Sequence, residues 1–315
     1  MKKSAFAALL LASTLASLAH ADSSVVFKGV LKDWLTVGEN PAKEFKQVGN
    51  VLKVARVRLE ARPNENVLVV AMPELAGGIR VLDAYATLNV AALPGLALTA
   101  GQFKFPFGQN RMPGPQALRN VDYAAINTAV LPGDAWDDGI KATYSLPQLK
   151  VEVASVEGMG QNLSAPAGSG FGLRPSQELS GLVEVSVADW TLGASCYQGS
   201  RGNAFTEPRL FGGGHLRFKA GPLALQAEFI NRDVDRIGYQ AEPLLALGSD
   251  WAVIGDYERV EDYRSHALGA TRLGGGVRWQ AHEAVKLTLW AQGDSAGPEQ
   301  APRSSVGILQ TQVEF

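Results

Sequence analysis

The side chains with the most chemistry to offer are cations and acids at strand-like spacing. Arg56, Arg58 and Glu60 recur at every second residue, Asp83 lies between Leu82 and Ala84, and Lys104, Arg111 and Arg119 follow within one stretch. Two guanidiniums on one face, side by side along a wall and facing water, attract a passing anion. The same two groups can instead pair with Glu60, Asp83 or loop acids and brace the wall. Catalysis lacks its parts. A hydrolase needs a nucleophile with a histidine in reach, but beyond residue 21 the chain holds only His215, His266 and His282, and no Gly-x-Ser-x-Gly run occurs. Three scattered histidines make no metal site of recognisable spacing, so no enzyme, metal or cofactor is expected. Asp134, Asp137 and Asp138 could bind a cation, but clustered acids at a strand edge are more often simply solvated. Cys196 is the only cysteine, which excludes an intramolecular disulfide; it shares the parity of Trp190, Leu192 and Ala194, an apolar face.

The elements that must position these groups alternate with a period of two. Ala55, Val57, Leu59 and Ala61 are interleaved with Arg56, Arg58 and Glu60; Leu82, Ala84, Ala86 and Leu88 with Asp83, Tyr85 and Thr87; Ile140, Ala142 and Tyr144 with Lys141 and Thr143. Val183 to Val187, Leu223 to Phe229 and Val285 to Ala291 repeat the pattern, and the chain ends on it, with Gly307, Leu309, Thr311, Val313 and Phe315 on one face. Such alternation is the pleat of strands with one apolar and one wet side. Val54 and Leu182 break it, sitting on faces that should be polar. Lys104 is awkward as well. It shares the parity of Leu98 and Ala100, which points it at lipid unless the strand bulges or has left the hydrocarbon.

Connections sort into two sets. Short ones are expected at Arg62-Pro63-Asn64, Pro94-Gly95, Pro147-Gln148, Ala188-Asp189, Gly221-Pro222 and His282-Glu283, and longer ones at about 38–49, 105–137, 159–177, 199–208 and 295–304. Transmembrane β-barrels have short periplasmic turns and longer external loops. Parity between these sets leaves room for two strands in 237–260, turning at Gly248-Ser249-Asp250, although Pro243 weakens the first of them. The expectation is an all-β fold: a transmembrane antiparallel barrel of about 16 strands, with 14 as the alternative. Its first strand (Val25 to Val37) would pair with its last (Ser305 to Phe315), because hydrocarbon does not tolerate an open edge. A loop as long as 105–137, stiffened by Pro106, Pro113, Pro115 and Pro132, suits a fixed constriction, with a surface loop outside the membrane as the alternative.

The N-terminus carries the three parts of an export signal. Lys2 and Lys3 precede an apolar stretch from Ala5 to Leu18, too short to span a bilayer, and Ala19-His20-Ala21 is a small-x-small cleavage site. Residues 1–21 are expected to be removed, leaving 22–315 as one barrel domain in a bacterial outer membrane. Loss of Lys2 and Lys3 leaves the mature chain with a net charge near −4. That is mild; it suggests no nucleic acid and no uniformly cationic lumen.

The run Gly101-Gln102-Phe103-Lys104-Phe105-Pro106-Phe107-Gly108, with Val54-Ala55-Arg56-Val57-Arg58-Leu59 and Leu82-Asp83-Ala84-Tyr85 upstream, resembles the phosphate-selective porin O/P family over about residues 50–125. The resemblance implies a sixteen-stranded barrel, usually a homotrimer, with the long loop folded inward and passive diffusion of anions such as phosphate. This chain is short for the family and lacks an evident excess of lysine and arginine. The partners so implied are membrane lipid and lipopolysaccharide outside and small hydrophilic solutes or anions within. The groups that would line the constriction are Arg56, Arg58, Asp83, Lys104, Arg111 and Arg119. A structural barrel that sheathes a partner protein is the alternative, and it requires a wide, unobstructed interior.

Overall fold

A side chain that must meet oil and a neighbour that must meet water can both be satisfied on a pleated sheet, and a sheet in hydrocarbon must close on itself. The chain does both. A computed structural model describes residues 24–40, 45–109, 112, 117–119, 121–124, 126, 130, 135–157, 178–199, 209–232, 236–262, 270–295 and 304–315. The proposed signal segment and Arg111 lie outside these residues.

Sixteen strands form the wall. They are β1 (Ser24–Asn40), β2 (Phe45–Asn64), β3 (Val67–Glu74), β4 (Arg80–Asn89), β5 (Leu96–Lys104) and β6 (Trp136–Ser145). There follow β7 (Leu149–Val156), β8 (Glu178–Val187), β9 (Trp190–Gly199), β10 (Arg209–Ala220) and β11 (Leu223–Arg232). The last are β12 (Arg236–Leu247), β13 (Trp251–Asp262), β14 (Ala270–His282), β15 (Val285–Ser295) and β16 (Ser304–Glu314). Each pairs antiparallel with its sequence neighbours, and β1 pairs with β16 from Val30↔Glu314 to Glu39↔Ser305. The sixteen-stranded expectation therefore holds, not the fourteen-stranded one, and two strands do turn at residues 248–250.

Details of the expected turns change. The first hairpin tip is Glu65–Asn66, because β2 runs through Arg62 and Pro63 across an irregular register between Ala61 and Asn64. Pro243 is tolerated inside β12 because Gly255 lies against it: a Cβ on Gly255 would come within 3.0 Å of the proline ring. The β12–β13 pairing skips this point, passing from Ala241↔Tyr257 to Leu244↔Ile254.

Outward faces carry exposed apolar residues such as Leu31, Ile140, Leu192, Leu273 and Leu289. Near the short-turn rim they carry aromatic rings, with Trp190 tilted against Phe218 at 4.4 Å and Trp251 stacked on Trp279 at 5.7 Å. Such rings favour the headgroup level of a bilayer. No helix among the described residues is long and apolar enough to cross a membrane. Cys196 lies on the outward face and is exposed, as its parity implied.

Closure is finished by the last residue. Gly29 and Phe315 exchange both backbone hydrogen bonds, at 2.6 and 3.1 Å. The Phe315 ring occupies the space beside Gly29, where a Cβ would sit 2.1 Å from it.

Candidate functional site

The lumen is shaped by the segment between β5 and β6, which leaves the wall and crosses the barrel. Its first residues are held on one side. Ser180 on β8 donates to the Pro106 carbonyl (2.7 Å), Gly108 N donates to Ser195 Oγ on β9 (3.1 Å), and Gln109 N donates to Glu228 Oε1 on β11 (2.5 Å). Further along, Ile126 N donates to Glu258 Oε2 on β13 (3.2 Å). Arg278 on β14 donates to the carbonyls of Leu118 and Arg119, and Lys53 on β2 pairs with Asp122 at 2.9 Å.

Lys53 reaches the lumen through a bulge. Lys32 faces Val54 and Asp33 faces Leu52, so Lys53 has no opposite residue; a bulge of this kind re-aims a side chain. Its ammonium also lies 4.5 Å over the Trp34 ring. The loop is therefore folded inward, as expected. It also removes the wide interior that a sheath for a partner protein requires.

Where the loop meets the wall the lumen is filled with apolar side chains. Phe105, Phe107, Ala124, Ile126 and Val130 pack with Phe103, Ala154, Val156, Tyr197, Phe211 and Ile230. Val121 packs with Ile254, Trp290 and Ile308 on the far side. Gly238 on β12 makes room, since a Cβ there would press within 2.9 Å of Ile126. Val54 and Leu182, the two lapses in the polar pattern, face inward and are buried.

Beside the wall of β1 to β6 the described residues leave open space. Two adjoining cavities lie there, of about 440 and 450 Å³, and they share Lys28, Arg56, Arg58 and Met72. The first opens at the short-turn rim beside Glu283 and Ala284, and the second ends under the loop at Lys104 and Met112. Among the described residues the second is lined by five cations, Lys28, Arg56, Arg58, Lys104 and Lys141, against two acids, Glu60 and Asp83.

The two arginines divide the roles left open by the sequence. Arg56 is buried and paired with Glu74, Nε to Oε2 at 2.7 Å, with side chains 8% and 3% exposed. Arg58 is 26% exposed in the cavity wall; its Nε donates to Glu60 (2.7 Å), Nη1 to Asp83 (2.8 Å) and Nη2 to the Tyr85 hydroxyl (3.0 Å). Asp83 also accepts from Trp136 Nε1 at 2.8 Å. Lys28 pairs with Glu60 at 3.1 Å and Lys141 with Glu152 at 3.3 Å.

Lys104 does not meet lipid. Gly101 has φ of 119°, a conformation open to glycine, and a Cβ there would sit 2.3 Å from the Ala84 carbonyl oxygen. Three residues later the chain turns inward. Lys104 Nζ then lies 4.5 Å over the Trp136 ring and donates to the Tyr123 hydroxyl at 3.2 Å. Burial pushes the Tyr123 phenol above its usual range against the pull of the nearby Arg56 cation, so it stays protonated.

Arg56, Arg58, Asp83 and Lys104 are thus brought to one cavity. Arg119 is not among them. It lies across the barrel, where its guanidinium donates to the Glu242 carbonyl at 3.4 Å and burial lowers its pKa. Asp137 is buried, contrary to the solvated position expected for it. Lys28 and Lys141 were missed. For Lys141 the signal was present, since it stands between Ile140 and Ala142, the outward residues of its strand.

No protein-family model matches the chain, and no curated protein is similar to it in sequence. Solved structures are similar in fold. The anion-selective porin from Comamonas acidovorans matches with a TM-score of 0.68 at 12% identity, over 93% of this chain and 100% of that one. The outer membrane channel DcaP of Acinetobacter baumannii matches with a TM-score of 0.70 at 12% identity, over 93% and 97%. OmpF of Salmonella typhi, solved with daunomycin, matches with a TM-score of 0.65 at 7% identity, over 92% and 97%. At these identities the likeness is one of fold, a porin-type barrel. The narrower resemblance to the phosphate-selective O/P family rests on residues 50–125 alone.

Proposed function

We propose that the chain is a porin of the bacterial outer membrane, exported by a signal at residues 1–21 that is then cleaved. Small hydrophilic solutes diffuse through it down their gradients. Small anions, phosphate among them, are preferred. The observation that carries this reading is the cluster of five cations among the described residues that line this cavity, against two acids in its lining and two more, Glu74 and Glu152, that pair with Arg56 and Lys141. The structural neighbours that are porins or channels support it.

The charge of the chain as a whole does not oppose this preference. Glu228, Glu242, Asp256 and Glu258, on β11 to β13, face inward but are buried. Glu228 and Glu258 are occupied with the backbone of the loop. A permeating ion meets instead Lys28, Arg58, Lys104 and Lys141. In a narrow, low-dielectric passage such charges focus the field on small ions of opposite sign. Arg56, buried on Glu74, contributes charge from behind the surface. Arg119 has no place in this filter, because its guanidinium donates to the Glu242 carbonyl across the barrel; Arg111 lies outside the described residues.

The reading includes a homotrimer, with lipid and lipopolysaccharide around it. At the short-turn rim, exposed aromatic rings recur outside β1, β6, β9, β13 and β14, at Phe27, Tyr144, Trp190, Trp251 and Trp279. From β2 to β5 the outward positions hold none: Leu59, Ala61, Val69, Ala86, Leu88 and Leu98 stand there instead. A lipid-facing wall wants the aromatic belt; a wall of small aliphatic groups suits protein against protein.

Recording from the purified protein in planar bilayers tests the channel. Discrete conductance steps are expected in KCl. A folded barrel that passes no current overturns the proposal.

A further inference from the structure

We infer that the junction of the two cavities binds an organic monoanion with a compact apolar body, such as a short-chain carboxylate. Ordinary inorganic ions and sugars fit the junction less well. The inference deepens the porin reading and relies on it for the route by which the ligand arrives.

The lining is neither a simple charged ring nor an apolar pocket. Met72 lies at the junction beside Arg58 and Lys28, and Met112 and Phe103 close the inner cavity. Charge and apolar surface are interleaved at short range: Lys141 Nζ is 5.2 Å from the centroid of the Phe103 ring, and the Arg58 guanidinium is 6.0 Å from that of Tyr85. Lys28, Arg56, Arg58 and Lys141 are each paired with a carboxylate. Lys28 and Lys141 each spend an N–H on a carboxylate, yet an ammonium has three, so a further anionic head can be bound without breaking those pairs. Arg58 is already engaged through three of its N–H groups, so its part is fixed charge.

A hydrated inorganic anion gains from the cations and nothing from the methionines. A neutral sugar can accept hydrogen bonds from the ammonium groups but brings no charge to them. A carboxylate with a few methylenes uses both, and flexible thioether side chains adapt to its shape. About 450 Å³ falls in the range of small-molecule sites, ~300–1,000 Å³.

The test is current block. Acetate, hexanoate and inorganic phosphate are added in turn to the purified protein in a planar bilayer in KCl. Hexanoate carries four more methylenes than acetate; half buried, these correspond to roughly a tenfold gain in affinity. Hexanoate should interrupt the current at about one tenth of the acetate concentration. In Met72→Ser with Met112→Ser the two carboxylates should converge. Equal block by acetate and hexanoate, or stronger block by phosphate, overturns the inference, and the ligand series on the unaltered protein decides this even if the variant does not fold. A protein that passes no KCl current refutes the porin reading instead. Calorimetric titration of hexanoate and acetate into the detergent-folded barrel then decides the site: tighter hexanoate binding sustains it, and equal binding ends it.

Discussion

Glu74 Oε2 accepts the Arg56 Nε–H at 2.7 Å, while its other carboxylate oxygen accepts the backbone N–H groups of Ala55 and Ala76 at 2.8 and 3.1 Å. The end of β3 is thereby tied to the middle of β2, and an arginine that sequence placed in the filter is largely committed to the wall.

Removing one partner of a buried pair strands the other charge, which costs about 3–5 kcal/mol. Glu74→Ala should therefore weaken the barrel by that order, as urea unfolding in detergent would show. Stability within 1 kcal/mol or so of the parent would mean that Arg56 is far better hydrated than its burial indicates.

Arg58 and Lys141 face the open cavity and should set ion preference. Arg58→Glu with Lys141→Glu should move the reversal potential in a KCl gradient towards cations, and by more than Arg56→Gln does. An equal effect from the buried arginine would contradict the division of roles drawn here.

Much of this architecture was legible in the sequence. Period-two alternation and the sorting of short from long connections gave sixteen strands, because closure admits no odd edge and every lipid-facing residue must repeat at i+2. The loop was legible as a candidate constriction from its length and its prolines, and its inward fold only from the family resemblance. The partner of Arg56 was not. Glu74 comes opposite it only through the register of β2 on β3, and nothing local marks that register. For Lys104, parity alone pointed at lipid unless the strand bulged or had left the hydrocarbon, and alternation marks neither the conformation of Gly101 nor the inward turn that follows. Lys141 had the right parity, but parity says only that a side chain faces the lumen. Which part of the lumen stays open depends on where the loop lies, and that is fixed by hydrogen bonds from Ser180, Ser195, Glu228, Glu258 and Arg278, scattered over about a hundred residues.

These anchors predict the width of the passage. Glu228→Ala with Glu258→Ala removes the acceptors for the Gln109 and Ile126 N–H groups. Single-channel conductance should rise and larger neutral sugars should enter, as liposome swelling would report. Unchanged conductance would show that the apolar packing of Phe107 and Ile126 holds the loop without them.

Barrel closure depends on the absence of a side chain at position 29. Gly29→Leu would drive atoms into the space of the Phe315 ring. Overpacking of this kind costs about 1–3 kcal/mol. The folded fraction after refolding should fall, seen as loss of the heat-modifiable band on gels, and Phe315→Ala in the same chain should partly restore it.

The preference for anions is the claim on which the functional reading turns, and the reversal potential of the unaltered protein between unequal KCl concentrations tests it most directly. Cations lining the passage beside β1 to β6 predict a potential of the sign set by chloride. A potential of the sign set by potassium would show that the acids buried under the loop, or others beyond it, govern the passage instead.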